Sequence, residues 1–308
     1  MRGRAQEAGA VPVPAARRPP ALLPASWRSA LEPWALLLPA VLLVGATFAY
    51  PLAELVRLSL KSSFGQGVGD SFRELVRDST FLLALEHNGY LLLAVPILTV
   101  LAVALAIFLF EGIRGGRLYR VLVFLPITVS IPVVGGVWGL MLERNGGLNT
   151  ILRSIGLDGL AQDWLGSKDL ALWSVLAVIV WSQLGFGVVL FLARLLSIPP
   201  ELFEAARVDG AGWWRLHRHV TLPQLKGIVQ FYVLLVTITI LSWIFNYVFV
   251  ITGGGPAEAT IVAELYVYRQ GFLYNQFGLA SAAALLLLAA VLVFVFVFFR
   301  LTGREETE

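Results

Sequence analysis

The sequence contains no cysteine and has few charged residues. Without cysteine, the 308-residue chain has no disulfide bond, no thiolate zinc site and no cysteine nucleophile. Asp, Glu, Lys and Arg make up 14% of the residues, whereas a soluble domain averages about 25%. Hydrophobic residues make up 58%, which is more than a folded soluble chain of this length can enclose. The composition therefore excludes a soluble protein and a largely disordered one, and it predicts an integral membrane protein.

Six apolar stretches without a charged residue are long enough to cross a bilayer. A membrane-spanning helix needs about 20 residues, and each stretch has between 20 and 26. Their apolar residues run continuously instead of alternating, which favours helices over the strands of a barrel. We therefore predict an all-α integral membrane protein with six transmembrane helices. They are placed at residues 34–53, 89–110, 121–142, 170–193, 227–252 and 277–299.

The distribution of basic residues predicts the orientation of the chain. Fifteen of the 23 Lys and Arg residues lie in the two termini and in the connections after the second and fourth stretches. Cytoplasmic segments carry such an excess, so both termini are expected to be cytoplasmic. Residues 1–33, rich in Ala, Pro and Arg, are predicted to form a disordered tail, residues 34–299 the membrane domain and residues 300–308 a short C-terminal tail. A cleaved signal peptide is disfavoured because the first apolar stretch begins late and is long enough to span.

The connection between the fourth and fifth stretches has a helical pattern. Pro200 suits the first turn of a helix, residues 201–208 favour a helix, and Gly210 ends it. A second helical stretch, about 211–219, is expected to end before the Leu222-Pro223 pair. Two interpretations fit this pattern. One is a compact knob whose small side chains let a partner protein approach closely, and the other is an amphipathic hairpin lying on lipid headgroups.

The spacing of residues in this connection matches a known motif. Glu204-Ala205-Ala206 is followed after three residues by Gly210, and after nine more by Val220-x-Leu222-Pro223. This spacing resembles the EAA loop of binding-protein-dependent ABC importer permeases, with Val220 in place of Ile. The motif Thr252-Gly253-Gly254-Gly255-Pro256 after the fifth stretch is similar to that of the carbohydrate branch, the maltose and glycerol-phosphate type. The likeness covers residues 34–299, and residues 199–223 are called the EAA loop below.

The resemblance implies a type I importer permease fold and a set of partners. These are a second permease, two ATP-binding subunits, an extracytoplasmic solute-binding protein and a sugar or polyol phosphate, in a bacterial cytoplasmic (inner) membrane. The chain would be a transport subunit and not an enzyme, with ATP and Mg²⁺ held by the partner ATPase and no nucleic-acid partner. The residues that this likeness assigns to ATPase coupling are Glu204, Ala205, Ala206, Asp209, Gly210, Leu222 and Pro223.

The glycine-rich turn after the fifth stretch is not a phosphate-binding loop. The pattern Gly-x4-Gly-Lys-Ser/Thr is absent from the whole sequence. Three consecutive glycines followed by Pro256 instead indicate a sharp turn at the outer membrane surface. The chain is therefore not expected to bind ATP, and no cofactor of its own is predicted.

Polar and aromatic residues within the apolar stretches are candidates for the solute path. Such residues are costly in a membrane and often functional. Amides hydrogen-bond sugar hydroxyls, and flat rings pack against the C–H groups of a sugar. Hydrogen bonds between helices are the alternative role. The candidates are Asn246, which is preferred, Tyr247, Trp243 and Gln183.

Two other function classes fit the composition less well. A secondary transporter or channel, acting without an ATPase, usually keeps a charged residue inside a span, and the six stretches have none. An intramembrane serine protease needs a histidine base within the membrane, and His87, His217 and His219 all lie outside the six stretches. The spacing of His217 and His219 does not place them on one helical face, so no metal site is predicted.

Overall fold

The computed structural model describes residues 25–61, 69–112 and 115–302, with side chains described for all of these except 25–33, 35 and 117. The described residues form helices joined by turns, with no strand among them. The helices are α1 (Ala25–Val44), α2 (Tyr50–Leu60), α3 (Asp70–Arg77), α4 (Ser79–Leu91), α5 (Ala94–Phe110), α6 (Gly116–Thr128), α7 (Ile131–Met141), α8 (Gly147–Ser154), α9 (Ala171–Leu196), α10 (Pro200–Val208), α11 (Trp213–Leu216), α12 (Leu222–Ile251), α13 (Ala263–Tyr268) and α14 (Phe277–Thr302).

The chain divides into two compact units, residues 1–53 and residues 54–308. In the first unit, a π-helical turn at Gly45–Ala49 follows α1. Among the described residues, five helices are able by length and composition to cross a membrane, at Leu36–Leu60, Ser79–Phe110, Ala171–Leu196, Trp213–Ile251 and Phe277–Thr302. A sixth span is obtained if α6 and α7 together cross once. This count agrees with the six stretches of the sequence.

The third predicted span is not one continuous helix. It is divided into α6 and α7, whose axes are bent by 102°. Val129 and Ser130 are extended between them, and Pro132 lies in the first turn of α7. Proline has no N–H to donate to a carbonyl four residues earlier, and its ring clashes with that carbonyl, here of Thr128. The prediction of a single helix over 121–142 was therefore wrong.

The fifth predicted span begins earlier than expected. The second helical stretch of the EAA loop does not end before Leu222-Pro223, because Trp213–Ile251 is one continuous helical segment. A π-helical turn at His217–Thr221 lies directly before Pro223, and this wider turn accommodates the proline ring. The start of the first predicted span and the end of the sixth also differ from the structure, because α1 begins at Ala25 and α14 continues to Thr302. The predicted tails otherwise lie outside the described residues.

Helix α9 packs against α5, α6 and α12 and forms the centre of the unit 54–308. Two glycines allow its neighbours to approach. A Cβ added to Gly185 would overlap the Val123 carbonyl of α6, and one added to Gly187 would lie 2.6 Å from the Tyr232 ring of α12. Tyr232 is fully buried at this crossing. Small residues are what close helix packing in membranes requires, and α9 thereby holds fixed the helices that carry the candidate site.

Candidate functional site

The EAA loop opens with the short helix α10, as its sequence predicts. Pro200 is in the first turn, where its missing N–H costs nothing. Phe203 is 5% exposed and packs inward. The neighbouring positions Leu202, Glu204 and Ala205 are exposed, while Ala206 packs partly against the core of this same chain. The two alanines therefore do not form one outward face, and of the two only Ala205 is exposed.

Gly210 ends α10 in the conformation that its position requires. Its φ is +76°, a left-handed value that glycine adopts without strain. The Gly210 amide donates to the carbonyl of Arg207 (3.0 Å), and the Ala211 amide donates to that of Ala206 (2.9 Å). This pair of hydrogen bonds is a Schellman motif, which satisfies the last carbonyls of a helix. Asp209, directly before it, is exposed.

The rest of the EAA loop is attached to the end of α5 by three contacts. The Phe203 and Phe110 ring centroids are 5.4 Å apart, and those of Trp213 and Phe108 are 6.4 Å apart. His217 Nε2 lies 3.2 Å from Glu111 Oε1, just beyond α5. The Nδ1 atom of the same ring is 2.9 Å from Thr221 Oγ1. Leu222 and Pro223 are exposed at the start of α12, so the motif combines an anchored inner side with an accessible outer side.

A cavity of about 250 Å³ lies between α5, α7, α9 and α12. Its polar and aromatic lining consists of Gln183, Phe186, Thr239, Trp243 and Tyr247, and no charged residue lines it. The Gln183 amide donates to the Tyr247 hydroxyl (Nε2–Oη 3.2 Å), and the Ser182 hydroxyl is 2.9 Å from the same oxygen. Trp243 is 60% exposed, which leaves a face of its indole free. This space is called the Gln183–Tyr247 cavity below.

Asn246, the preferred candidate of the sequence, is not among the residues that line this cavity. Its amide Nδ2 is 3.5 Å from the Trp243 carbonyl oxygen and its side chain is half-buried. It follows Trp243 by three residues, so it lies one turn further along the same side of α12. The structure thus brings together three of the four predicted residues, Gln183, Trp243 and Tyr247.

The segment after α12, from the glycine turn to the start of α13, is tied to α4 by buried polar groups that the sequence did not reveal. Gly253 and Gly254 have positive φ, as three consecutive glycines predict. Further on, the Asn88 amide donates to a Glu264 carboxylate oxygen (3.2 Å), and the Asn88 carbonyl accepts from the Ala263 amide (2.8 Å). Burial raises the pKa of the Glu264 carboxyl to about 7. His87 Nδ1 lies 2.8 Å from the Ile261 carbonyl oxygen.

Sequence reasoning missed Phe203, Asn88 and His87 for one shared reason. Each of them contacts a residue that is distant in the sequence and lies outside its own helix, so no local sequence pattern identifies the contact. Phe203 had the clearest signal, because it is the one aromatic residue in the sequence of this short helix. His87 and Asn88 stand just before the second apolar stretch. Nothing in the sequence indicated that they belong to a helix, α4, which runs into that stretch.

The chain matches a family described as "Binding-protein-dependent transport system inner membrane component" over residues 85–304. It is 37% identical over 254 residues to the diacetylchitobiose uptake system permease protein NgcF of Streptomyces coelicolor. The aligned region covers 78% of this chain and 72% of that protein. The fold is similar to that of a bacterial ABC transporter involved in the import of the acidic polysaccharide alginate, with a TM-score of 0.81, 24% identity and coverage of 91% of this chain and 98% of that one.

A second solved structure contains the bacterial alginate ABC transporter in complex with an alginate pentasaccharide-bound periplasmic protein. Its TM-score is 0.79 at 25% identity, with coverage of 90% of this chain and 97% of that chain.

Proposed function

The chain belongs to the family of binding-protein-dependent transport system inner membrane components, and we propose that it forms part of the path of an ATP-driven importer for an uncharged carbohydrate. One observation carries the proposal. The helical unit that holds the Gln183–Tyr247 cavity also presents the EAA loop, which is anchored to α5 on one side and accessible on the other. A solute site and a site for a driving subunit are thus joined by the same helices.

The lining of the cavity supports a neutral sugar. An amide and hydroxyls offer hydrogen bonds to sugar hydroxyls, and the free face of Trp243 offers an apolar surface for ring C–H groups. A polyol phosphate or an acidic sugar would call for a cationic partner, and none lines the cavity. The similarity to a permease named for diacetylchitobiose uptake points to the same class of solute.

The exposed side of α10 is proposed to dock on an ATPase subunit. Leu202, Ala205 and Asp209 follow the spacing i, i+3, i+7 and are all exposed. The small Ala205 side chain permits a closely fitting partner surface. ATP and Mg²⁺ are held by that partner, which binds the inward-open and outward-open states with different affinity and so shifts their populations. Movement of the loop reaches α5 through Phe110 and α12 through the continuous helix from Trp213.

The proposed assembly contains a second permease, two ATP-binding subunits and an extracytoplasmic solute-binding protein. The complex between a similar transporter and a periplasmic protein supports the last of these. Both termini and the EAA loop are placed on the cytoplasmic side of a bacterial inner membrane, following the distribution of basic residues. A Trp214→Cys variant of this cysteine-free chain tests the orientation, since labelling by an impermeant maleimide on intact cells would overturn it.

Uptake by reconstituted vesicles tests the proposal as a whole. The chain is incorporated with its partner permease, with or without the ATPase subunits, and accumulation of labelled diacetylchitobiose is measured after addition of the binding protein. We expect uptake only when the ATPase and ATP are both present. Accumulation driven by an ion gradient without the ATPase would establish a secondary transporter instead. Uptake of a sugar phosphate in preference to the neutral sugar would overturn the proposed solute class.

A further inference from the structure

A second and larger apolar space lies on the surface of the unit 54–308, between α5 and the continuous helix that begins at Trp213. Its volume is about 930 Å³. It is separate from the Gln183–Tyr247 cavity and shares no lining residue with it. We call it the α5 groove. The residues used below are Thr99, Ala104 and Phe108 of α5, and Trp213, Trp214 and Arg218 opposite them.

The length of the α5 groove matches one leaflet of a bilayer. Its lining on α5 extends from Thr99 to Phe108, and a helix rises 1.5 Å per residue, so this distance is about 14 Å. The hydrocarbon core of a bilayer is about 30 Å thick. Phe108 lies two residues before the end of α5, at the end where the EAA loop is attached. The groove therefore opens at the membrane surface and reaches toward the middle of the membrane.

The mouth of the groove has the residues of a membrane interface. Trp213 and Trp214 are 42% and 79% exposed, and tryptophan is enriched where hydrocarbon meets the headgroups. Arg218 is exposed and lines the same mouth. Within the described part of the chain, no acidic residue forms an ion pair with Arg218. His217, also in the lining, has its Nε2 atom beside Glu111.

We propose that the α5 groove is a binding site for an anionic phospholipid of the leaflet on the EAA-loop side. One acyl chain lies along α5 between Phe108 and Thr99, and the phosphate is bound by the Arg218 guanidinium. Basic pockets between helices on the cytoplasmic side are typical sites for anionic headgroups. An apolar helix of another subunit in the groove would bury the Arg218 charge without a partner, which is costly. The proposal does not depend on the nature of the transported solute.

Native mass spectrometry of the full chain, purified with its associated subunits, tests this site. The complex is delipidated and incubated with equal amounts of phosphatidylglycerol and phosphatidylcholine. We expect preferential retention of phosphatidylglycerol, reduced about fivefold in Arg218→Gln, since one basic contact at a membrane surface is worth about 1 kcal/mol. Arg215→Gln is the matched control, because Arg215 lies three residues earlier in the same continuous helical segment and does not line the groove. It is expected to retain phosphatidylglycerol as the wild type does.

A second variant tests the apolar part of the site. Ala104→Trp fills the groove next to α5 and is expected to reduce retention of both lipids. Equal retention of the two lipids by the wild type, or equal losses in Arg218→Gln and Arg215→Gln, would overturn the proposal. Ala104→Cys supplies an independent readout, because efficient cross-linking of this cysteine to a second permease would show that a protein helix occupies the groove.

Discussion

The ring of Phe203 packs against the ring of Phe110, with their centroids 5.4 Å apart. Phe110 is the last residue of α5, and the same helix reaches the Gln183–Tyr247 cavity through Leu98. Phe203 is 5% exposed, although the residues on either side of it are exposed. This side chain thus attaches α10 to a helix that lines the Gln183–Tyr247 cavity. In the proposed mechanism, force applied to the EAA loop is transmitted along α5 to the cavity.

Phe203→Ala is expected to uncouple the two sites. Truncating a buried phenylalanine costs about 3–5 kcal/mol in a packed core, and here the loss falls on the attachment of α10. We expect a lower melting temperature of the purified complex and less uptake per ATP hydrolysed. Val208→Ala is the control for stability, since Val208 is 87% exposed and is not one of the residues proposed to dock on the ATPase. Unchanged coupling in Phe203→Ala would show that the ring contact transmits nothing.

Gly210→Val is expected to disturb the end of α10 through the backbone alone. No atom lies within 4 Å of a Cβ added at this position, so there is no steric overlap with neighbours. The cost arises from φ = +76°, a conformation that costs a β-branched residue about 1–3 kcal/mol. ATPase retention on gel filtration is expected to fall. Gly210→Asn is the matched control, because asparagine tolerates this conformation, and equal effects of both variants would contradict this explanation.

Gln183→Leu tests the cavity assignment. The substitution removes the amide that donates to the Tyr247 hydroxyl and faces the cavity. Loss of one hydrogen bond to a neutral solute costs about 0.5–1.5 kcal/mol, so KM for uptake is expected to rise about 2- to 12-fold while basal ATPase activity is kept. Asn246→Leu is expected to have the smaller effect, because Asn246 does not line the cavity. A larger effect at Asn246 would contradict this assignment and would show that the solute binds nearer the end of α12, outside the cavity.

The Glu264 carboxyl gives the stability of the segment around α13 a pH dependence. Its pKa is raised by burial from 4.5 to about 7, so between these values the folded state binds more protons than the unfolded state. The stability that the protonated group contributes is therefore present below pH 4.5 and is lost as the pH rises through 7. Glu264→Gln is expected to raise the melting temperature at pH 8 and to change it little at pH 5.

The exposed residue Glu74 of α3 supplies the control for this pH experiment. Glu74→Gln is expected to leave the difference in melting temperature between pH 5 and pH 8 as it is in the wild type. An unchanged pH dependence in Glu264→Gln would show that the ionisation of Glu264 does not act on folding.

The sequence predicts the helical class and α10 well because both rest on local rules. Charge-free runs of 20 residues or more indicate spans, and Pro200 and Gly210 mark the two ends of a helix that the structure places at Pro200–Val208. The errors in the third and fifth spans arise at prolines, whose effect on a helix depends on the surrounding backbone. The helix is broken just before Pro132, although Pro126 lies inside α6 without breaking it, and at Pro223 a preceding π-helical turn lets the helix continue.

The candidate site is predicted only in part, because residue type is a local property and helix rotation is not. The residue types at 183, 243 and 247 indicated a sugar site, but only the rotation of α9 and α12 decides which of them face one cavity. That rotation is set by the close approaches at Gly185 and Gly187. Asn246 differs from Tyr247 by one position in the sequence and by about 100° around the helix, and a single sequence has no means to separate the two.

The proposed docking of the EAA loop on an ATPase is tested most directly at Ala205. Ala205 is exposed on α10, so a larger side chain is accommodated unless a partner surface fits closely there. The measurement is ATPase retained by purified complexes of the wild type, Ala205→Trp and the conservative Ala205→Ser, together with binding-protein-stimulated hydrolysis. We predict that Ala205→Trp loses the ATPase and stimulation while Ala205→Ser keeps both. Full retention and full stimulation in Ala205→Trp, particularly with stronger binding to lipid vesicles, would contradict docking and favour a loop that lies on the membrane surface.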